Sequence, residues 1–259
     1  MRLSPSPARA GALLGLLAGI LGLYGLTTAS VFAIHRIDVS PLTWTSEAAV
    51  LQALDVGTGG NAFGLSTSNL AARLLQLPAV SSATVSVALP DELRVDVTER
   101  RAVMAWRVGG STFVVDGTGV VFAFAPKGGA KTADGRLLPV VLDTRATSST
   151  IIGIGSTIDP TDIDAATRLA SIVPADVGSA ATSLEVRLTD SDGWVMTTTP
   201  RSWTAVFGPY TPVLRPPDLV PAQVRLLRSL ILGRESAFAR IVLADGEHGT
   251  YLPTPSEGR

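Results

Sequence analysis

The chain has 259 residues, a formal net charge of −1 and no cysteine. The near-neutral balance excludes a polyanion partner, and no basic patch interleaved with aromatics points to nucleic acid. Thiol chemistry and disulfide staples are excluded too, so an exported domain of this sequence must be held by its core alone.

In chain order, the first feature is a run over residues 10–34 without a charged residue. As a helix it would reach about 37 Å at roughly 1.5 Å per residue, more than a hydrocarbon core of about 30 Å requires. The sequence therefore predicts a transmembrane helix over 10–34. Arg2 and Arg9 precede it with no acid, whereas Arg36 and Asp38 offset each other beyond it. The positive-inside bias puts residues 1–9 in the cytoplasm as a short tail and the bulk of the chain outside, as a single-pass protein of the cytoplasmic membrane. A cleaved signal peptide is the rival reading, with small residues near Ala29 or Ala33. The run exceeds the usual ~7–15-residue signal core, which favours an uncleaved anchor. Gly11, Gly15 and Gly19 recur at four-residue spacing, a pattern that lets membrane helices approach closely. They mark a candidate helix–helix contact, against the plainer reading that glycine is common in membrane helices.

The next elements follow from periodicity. Ile37-Asp38-Val39 alternates as a short strand, and Ser46 caps a helix carrying Val50, Leu51 and Leu54. Residues 57–61 are turn-forming. Ser66 opens a second helix with an apolar stripe of Leu70, Leu74, Leu75 and Leu77, stopped by Pro78. Strands over 83–89 and 93–98 form a hairpin through Pro90-Asp91-Glu92. This β-α-α-β-β order over 35–101 predicts a compact α+β unit with both helices on one face of a three-stranded sheet, and Leu74, Leu77, Val85, Val87, Val95 and Val97 in one core.

Residues 102–252 read as a mostly antiparallel β-domain with flanking helices. Strands are expected at 103–108, 112–115, 120–124, 137–142, 184–188, 194–199, 203–207 and 239–244, with a solvated loop over 127–134. A helix capped by Asp162 is expected to run to Val173, buried through Ala166, Leu169, Ala170 and Val173. A second helix, ending at Leu232, buries Val220, Val224, Leu227 and Ile231. Residues 249–252 can pair back on the last strand, and 253–259 form a C-terminal tail.

No constellation of catalytic residues emerges. His35 and His248 lack ligand-spaced carboxylate partners. Gly153-Ile154-Gly155-Ser156 is not a nucleophile elbow, and residues 57–61 lack the lysine of a phosphate loop. Asp159, Asp162 and Asp164 could attract Ca²⁺, but the helix macrodipole accounts for acids in a first turn. Glu99 and Asp96, flanked by arginines, read as surface ion pairs. The expectation is a binding protein rather than an enzyme, with no cofactor, no metal and no small-molecule substrate.

Several motifs in fixed order carry a resemblance. Gly60-Asn61-Ala62-Phe63, Leu77-Pro78-Ala79-Val80, Leu89-Pro90-Asp91-Glu92-Leu93-Arg94-Val95, Glu99-Arg100 with Ala105-Trp106, Val114-Val115-Asp116-Gly117-Thr118-Gly119-Val120 and Leu138-Pro139-Val140 follow the signal-anchor run in sequence. Together they resemble the FtsQ/DivIB family of bacterial cell-division proteins, although Ala102 stands where the family has proline. The resemblance implies a POTRA domain followed by an FtsQ-type β-domain. It further implies a non-enzymatic scaffold at the division septum that binds FtsB/FtsL-like bitopic proteins and other membrane proteins of the division machinery. Alternatives are a docking module of a secretion or outer-membrane assembly system and an anchored cell-wall enzyme. The last strands of the chain are the expected partner site, because a terminal strand often forms a sheet edge. The side chains expected near the contact are Ile241, Leu243, Tyr251 and Leu252.

Overall fold

The computed structural model describes residues 7–27, 30–57, 59–132, 134–200 and 202–254, apart from the side chains of residues 7–10, 23, 26 and 27. Residues 1–6 of the expected 1–9 tail and the terminal residues 255–259 lie outside the described residues, while residues 7–9 belong to the first helix. The chain divides into two compact units, Met1–Glu99 and Arg100–Arg259.

The first unit begins with α1, Pro7–Thr27. Among the described residues no helix is long and apolar enough to cross a membrane. The helix ends before residue 34, and the reason is competition for apolar residues: Ile34 is buried in the core of the following domain and Phe32 packs against it. Beyond a 3-10 turn at Ser30–Phe32 come β1 (Arg36–Val39), α2 (Glu47–Leu54), α3 (Thr67–Leu74), β2 (Val80–Ala88) and β3 (Glu92–Glu99). The expected β-α-α-β-β order is present. Ser46 and Ser66 cap α2 and α3, accepting from the Ala49 and Asn69 N–H groups. The sheet order is β1-β3-β2, with β1 parallel to β3 and β2 antiparallel to it.

Leu74, Leu77, Val85, Val87, Val95 and Val97 share one core with Val50, Leu54, Leu70 and Leu93. Leu74 is fully buried, and Leu74→Ala is expected to cost about 2–5 kcal/mol through lost transfer energy and the cavity left behind. A thermal melt of residues 30–99 carrying Leu74→Ala and still matching wild type would overturn this core assignment. Glu99 corrects the sequence reading. Its carboxylate accepts from the backbone N–H groups of Thr43 (2.6 Å), Trp44 (2.9 Å) and Thr45 (2.6 Å), so it ties down the loop before α2 and is not spent on a neighbouring arginine.

In the second unit β4 (Ala102–Val108), β5 (Ser111–Asp116), β6 (Val121–Phe124) and β7 (Val140–Asp143) precede three helices: α4 (Ser148–Ile151), α5 (Pro160–Ala170) and α6 (Pro174–Val177). Then follow β8 (Ser183–Thr189), β9 (Gly193–Thr199), β10 (Thr204–Gly208), α7 (Val220–Ile231), β11 (Phe238–Leu243) and β12 (Gly249–Pro253). All nine strands form one sheet in the order β12-β11-β10-β9-β8-β7-β4-β5-β6. The sheet is mixed: β4–β7, β7–β8 and β10–β11 pair in parallel. Parallel neighbours need a long crossover, and the chain between β7 and β8 contains α5, while that between β10 and β11 contains α7. Both helices cover one face, over Trp106, Trp194, Met196, Phe207 and Ile241.

Several local expectations change. The strand expected over 137–142 is β7, because Leu137 is exposed and bridges Lys131 while Pro139 supplies only a carbonyl, to the Ala105 N–H. Ala130 and Leu138 are buried and bonded to one another, so the stretch over 127–134 is not wholly solvated. Asp159, not Asp162, caps α5, accepting from the Thr161 N–H at 2.8 Å; Pro160 then occupies the first turn, where its missing N–H costs nothing. The helix stops at Ala170, leaving Val173 exposed, and Ile163 and Ala165 join its buried face.

Asp162 instead pairs with Arg145 at 2.9 Å, and Asp164 with Arg168 at 2.8 Å. The three carboxylates of this helix start therefore serve separate partners. Among the described residues no group of three His, Asp or Glu side chains comes together as a metal site would require.

Candidate functional site

The two edges of the large sheet are unlike. At β6 the loop after α4 covers the edge: Gly155 N–H donates to the Val121 carbonyl at 2.7 Å, and Val121 N–H donates to the Ser156 carbonyl at 2.9 Å. At the other edge lies β12, which among the described residues pairs only with β11. Ala244 N–H donates to the His248 carbonyl at 2.9 Å, which sets the alternation of the antiparallel ladder beyond it. By that register Thr250 and Leu252 exchange bonds with Val242 and Arg240, while Gly249 and Tyr251 turn their N–H and C=O groups away from β11. Thr254 N–H donates back to the Ala237 carbonyl, so Pro253 also faces outward and offers only a carbonyl. A proline at an edge fits the position.

The expected side chains separate. Ile241 and Leu243 are buried in the core and cannot reach a partner; that correction follows from α7 packing over β11. Tyr251 and Leu252 are 57% and 60% exposed. Tyr251 stands opposite Ile241 and makes an edge-on ring contact with Phe238, whereas Leu252 stands opposite Arg240 on the other face of the sheet. Gly11, Gly15 and Gly19 lie on α1 with open space where a Cβ would be.

A polar clamp holds the β11–β12 hairpin, and it was not apparent in the sequence. Gln223, fully buried on α7, donates to the Phe207 carbonyl at 3.1 Å and the Leu243 carbonyl at 3.0 Å, and accepts from the Tyr210 hydroxyl at 2.7 Å. Arg215 donates to the same two carbonyls and to that of Ala244. These carbonyls lie where the parallel β10–β11 ladder runs out, and a buried acceptor left without a donor is costly. Burial raises the Tyr210 pKa well above the phenol range, Arg215 only partly opposing it. The signal for Gln223 was its spacing, three residues after Val220 and four before Leu227; polarity concealed it. The hairpin turn rests on α7 as well. A Cβ on Gly246 would sit 2.5 Å from that of Ala222, so this turn closes only with glycine there.

The loop from Pro209 to Pro216, pinned through Arg215, carries Val213 and Leu214 almost wholly exposed beside this hairpin. At the other end of β11, Glu235 accepts from Ser179, Ala180, Ser202 and the Trp203 indole. The turn itself holds His248 against Asp245 at 2.9 Å. The hydrogen bond His248 donates to Asp245, and the charge of Asp245, raise the His248 pKa. Backbone donation from Glu247 and His248, with the His248 side chain, lowers that of Asp245 to about 2.

Residues 32–100 match the model of the POTRA domain, FtsQ-type. The chain is similar to the cell division protein FtsQ of Chloroflexus aggregans, at 28% identity over 158 residues, 61% of this chain and 55% of that protein. It is 27% identical over 186 residues to FtsQ of Chloroflexus aurantiacus, covering 70% of this chain and 56% of the other. With FtsQ of Corynebacterium glutamicum the figures are 29% over 119 residues, 43% and 54%.

The chain carries an FtsQ-type POTRA domain and is similar to curated FtsQ proteins.

It spans about half the length of the curated relatives it matches. The FtsQ-type domain coincides with the β-α-α-β-β fold and begins at Phe32, within the stretch whose Ile34 is buried in its core.

Acid is expected to weaken the second unit. Burial alone would raise Asp116, Asp143 and Glu235. Hydrogen bonds outweigh it: Thr118, Arg100 and two backbone N–H groups at Asp116, Arg145 chiefly at Asp143, and Ser179, Ala180 and Trp203 at Glu235. All three end below the ordinary carboxylate range. A carboxylate with a lowered folded-state pKa contributes stability above its unfolded pKa of about 4 and loses it as pH falls through the folded value. Asp134 and Asp245 are lowered as well, while Asp162, raised mainly by burial, works in the opposite direction, leaving five groups against one. The melting temperature of residues 100–254 should fall from pH 5 to pH 3, and Asp116→Asn should reduce that fall. An unchanged slope in the variant would refute the assignment.

Proposed function

We propose that this chain is a non-enzymatic bitopic scaffold of the cell-division machinery, anchored in the cytoplasmic membrane at the septum with its N-terminus inside. The rest of the first unit and the second unit follow α1 on the extracytoplasmic side. The uncharged run over 10–34 supports the anchor, as do Leu13, Leu14, Leu16, Leu17, Ile20 and Leu21, which stand exposed around α1. An apolar helix without a covered face is stable when lipid surrounds it.

The partner site in this reading is the edge of β12, which accepts a strand from an FtsB/FtsL-like bitopic protein. The outward N–H and C=O groups of Gly249 and Tyr251 are the observation that carries it. Backbone pairing supplies affinity there, and Tyr251 on one face with Leu252 on the other supplies selectivity. Such pairing tolerates drift in side chains, which accords with identities below one third to the relatives. Gly11, Gly15 and Gly19 offer a second contact, with a membrane helix of the same machinery. A fluorescent fusion of the full chain in dividing cells should collect at midcell, and even distribution around the envelope would refute the septal role.

A further inference from the structure

Among the described residues of the first unit outside α1, five large apolar side chains are exposed: Val31, Leu51, Phe63, Leu75 and Leu89. Three of them come from separate segments yet converge on one end of the domain. Phe63 lies on the 3-10 turn Ala62–Gly64, its ring edge-on to Phe32 at 5.0 Å, and Phe32 follows Val31 directly. The 30–34 segment is stitched to the loop before that turn: Ile34 N–H donates to the Gly60 carbonyl at 2.8 Å, and Gly59 N–H to the Ile34 carbonyl at 3.0 Å. Leu89 begins the β2–β3 turn. Two residues on, the Asp91 carbonyl accepts from the His35 N–H at 2.9 Å. Because β1 and β3 are parallel, with Arg36 opposite Glu92, that turn and the point where the chain enters β1 share the same end of the sheet. Val31, Phe63 and Leu89 are 57%, 52% and 58% exposed.

This end is tethered. Val31 follows the last residue of α1, Thr27, by four residues, which span at most about 14 Å. The polar interface of a bilayer is roughly 5–8 Å deep on each side, and aromatic side chains settle there with the ring in the apolar boundary. We propose that the Val31–Phe63–Leu89 end of the first unit inserts shallowly into the outer interface of the membrane that α1 crosses, so the domain lies on the lipid surface. The inference rests on the anchor reading above. The occupant is lipid and not a basic-patch partner such as an acidic peptide. The exposed arginines here are already paired: Arg36 with Asp91 at 3.2 Å and Arg94 with Glu92 at 2.7 Å. Insertion is therefore driven by apolar contact and needs no anionic lipid.

The absence of cysteine makes the test clean. Single-cysteine full-length variants Phe63→Cys, Leu89→Cys and Ser82→Cys, each labelled with an environment-sensitive fluorophore, are reconstituted into phosphatidylcholine vesicles. Ser82 is exposed and sits opposite Thr98, six residues along β3 from Glu92 and so roughly 20 Å away. Probes at 63 and 89 should shift to the blue and be quenched by lipids carrying a shallow quencher, while the probe at 82 stays aqueous. Val31→Ser with Phe63→Ser should return the probe at 89 toward its aqueous signal. Aqueous signals at 63 and 89 in a chain that floats with the vesicles would overturn this inference and leave the anchor intact. Loss of flotation would overturn both. A shift seen only with phosphatidylglycerol present would replace apolar insertion with charge attraction.

Discussion

Asp143→Ala is expected to lower the stability of the second unit by about 3–5 kcal/mol, the usual cost of breaking a buried ion pair from one side. The Asp143 side chain is wholly buried. One of its oxygens accepts from the Trp106 indole at 3.2 Å and from Arg145 at 2.7 Å, and the other accepts from the backbone and side chain of Arg145 at 3.1 Å. Removing the carboxylate leaves a buried indole N–H without its acceptor and Arg145 with Asp162 alone. Trp106 also meets Trp194 edge to face at 6.1 Å in the centre of the core, so relaxation would disturb the packing of both. At about 2–4 °C per kcal/mol for a domain of this size, the melting temperature of residues 100–254 should fall by roughly 6–20 °C. Asp162→Ala, at a site with more solvent, should cost less. Equal melting of Asp143→Ala and wild type would show that the network contributes nothing net.

Tyr251→Pro should weaken capture of an FtsB-like outer segment by at least about tenfold, the effect of losing one hydrogen bond of roughly 1.4 kcal/mol. The register makes this substitution selective. The Tyr251 N–H faces away from β11, so proline removes a donor from the open edge without removing one from the ladder. Its ring also occupies the space where an added strand would lie. Leu252→Pro is the opposite case, because that N–H points to Arg240 and its loss should loosen the hairpin itself. Tyr251→Ala keeps the backbone donor and should bind better than Tyr251→Pro. The measurement is pull-down by residues 30–259, with circular dichroism establishing that each variant is folded. A folded Tyr251→Pro protein that binds at wild-type strength would place the partner elsewhere, with the exposed Val213–Leu214 loop the next surface to test.

The β-α-α-β-β part of the first unit was legible as elements, because its signals are local, whereas the expected 10–34 span was not: α1 ends at Thr27. Serine caps at 46 and 66, Pro78 as a stop and strict alternation through Leu93, Val95 and Val97 act within a few residues of one another. The resemblance to FtsQ proteins was legible for the same reason, since its motifs are turns and strand starts in a fixed order. The second unit was legible as elements but not as a sheet. Periodicity marks α5 and α7, yet nothing local says that they are crossovers, and so the three parallel pairings could not be read in advance. The sequence suffices to put a strand at 249–252 and to suggest an edge there. Only the tertiary structure decides which of its groups face outward, because that depends on register with β11. It alone buries Ile241 and Leu243 beneath α7 and leaves Tyr251 and Leu252 on opposite faces. Gln223 and Glu99 show the same division. Each polar side chain answers backbone groups brought near it only by folding, and no pattern along the chain can announce a donor or acceptor that lies thirteen or more residues away.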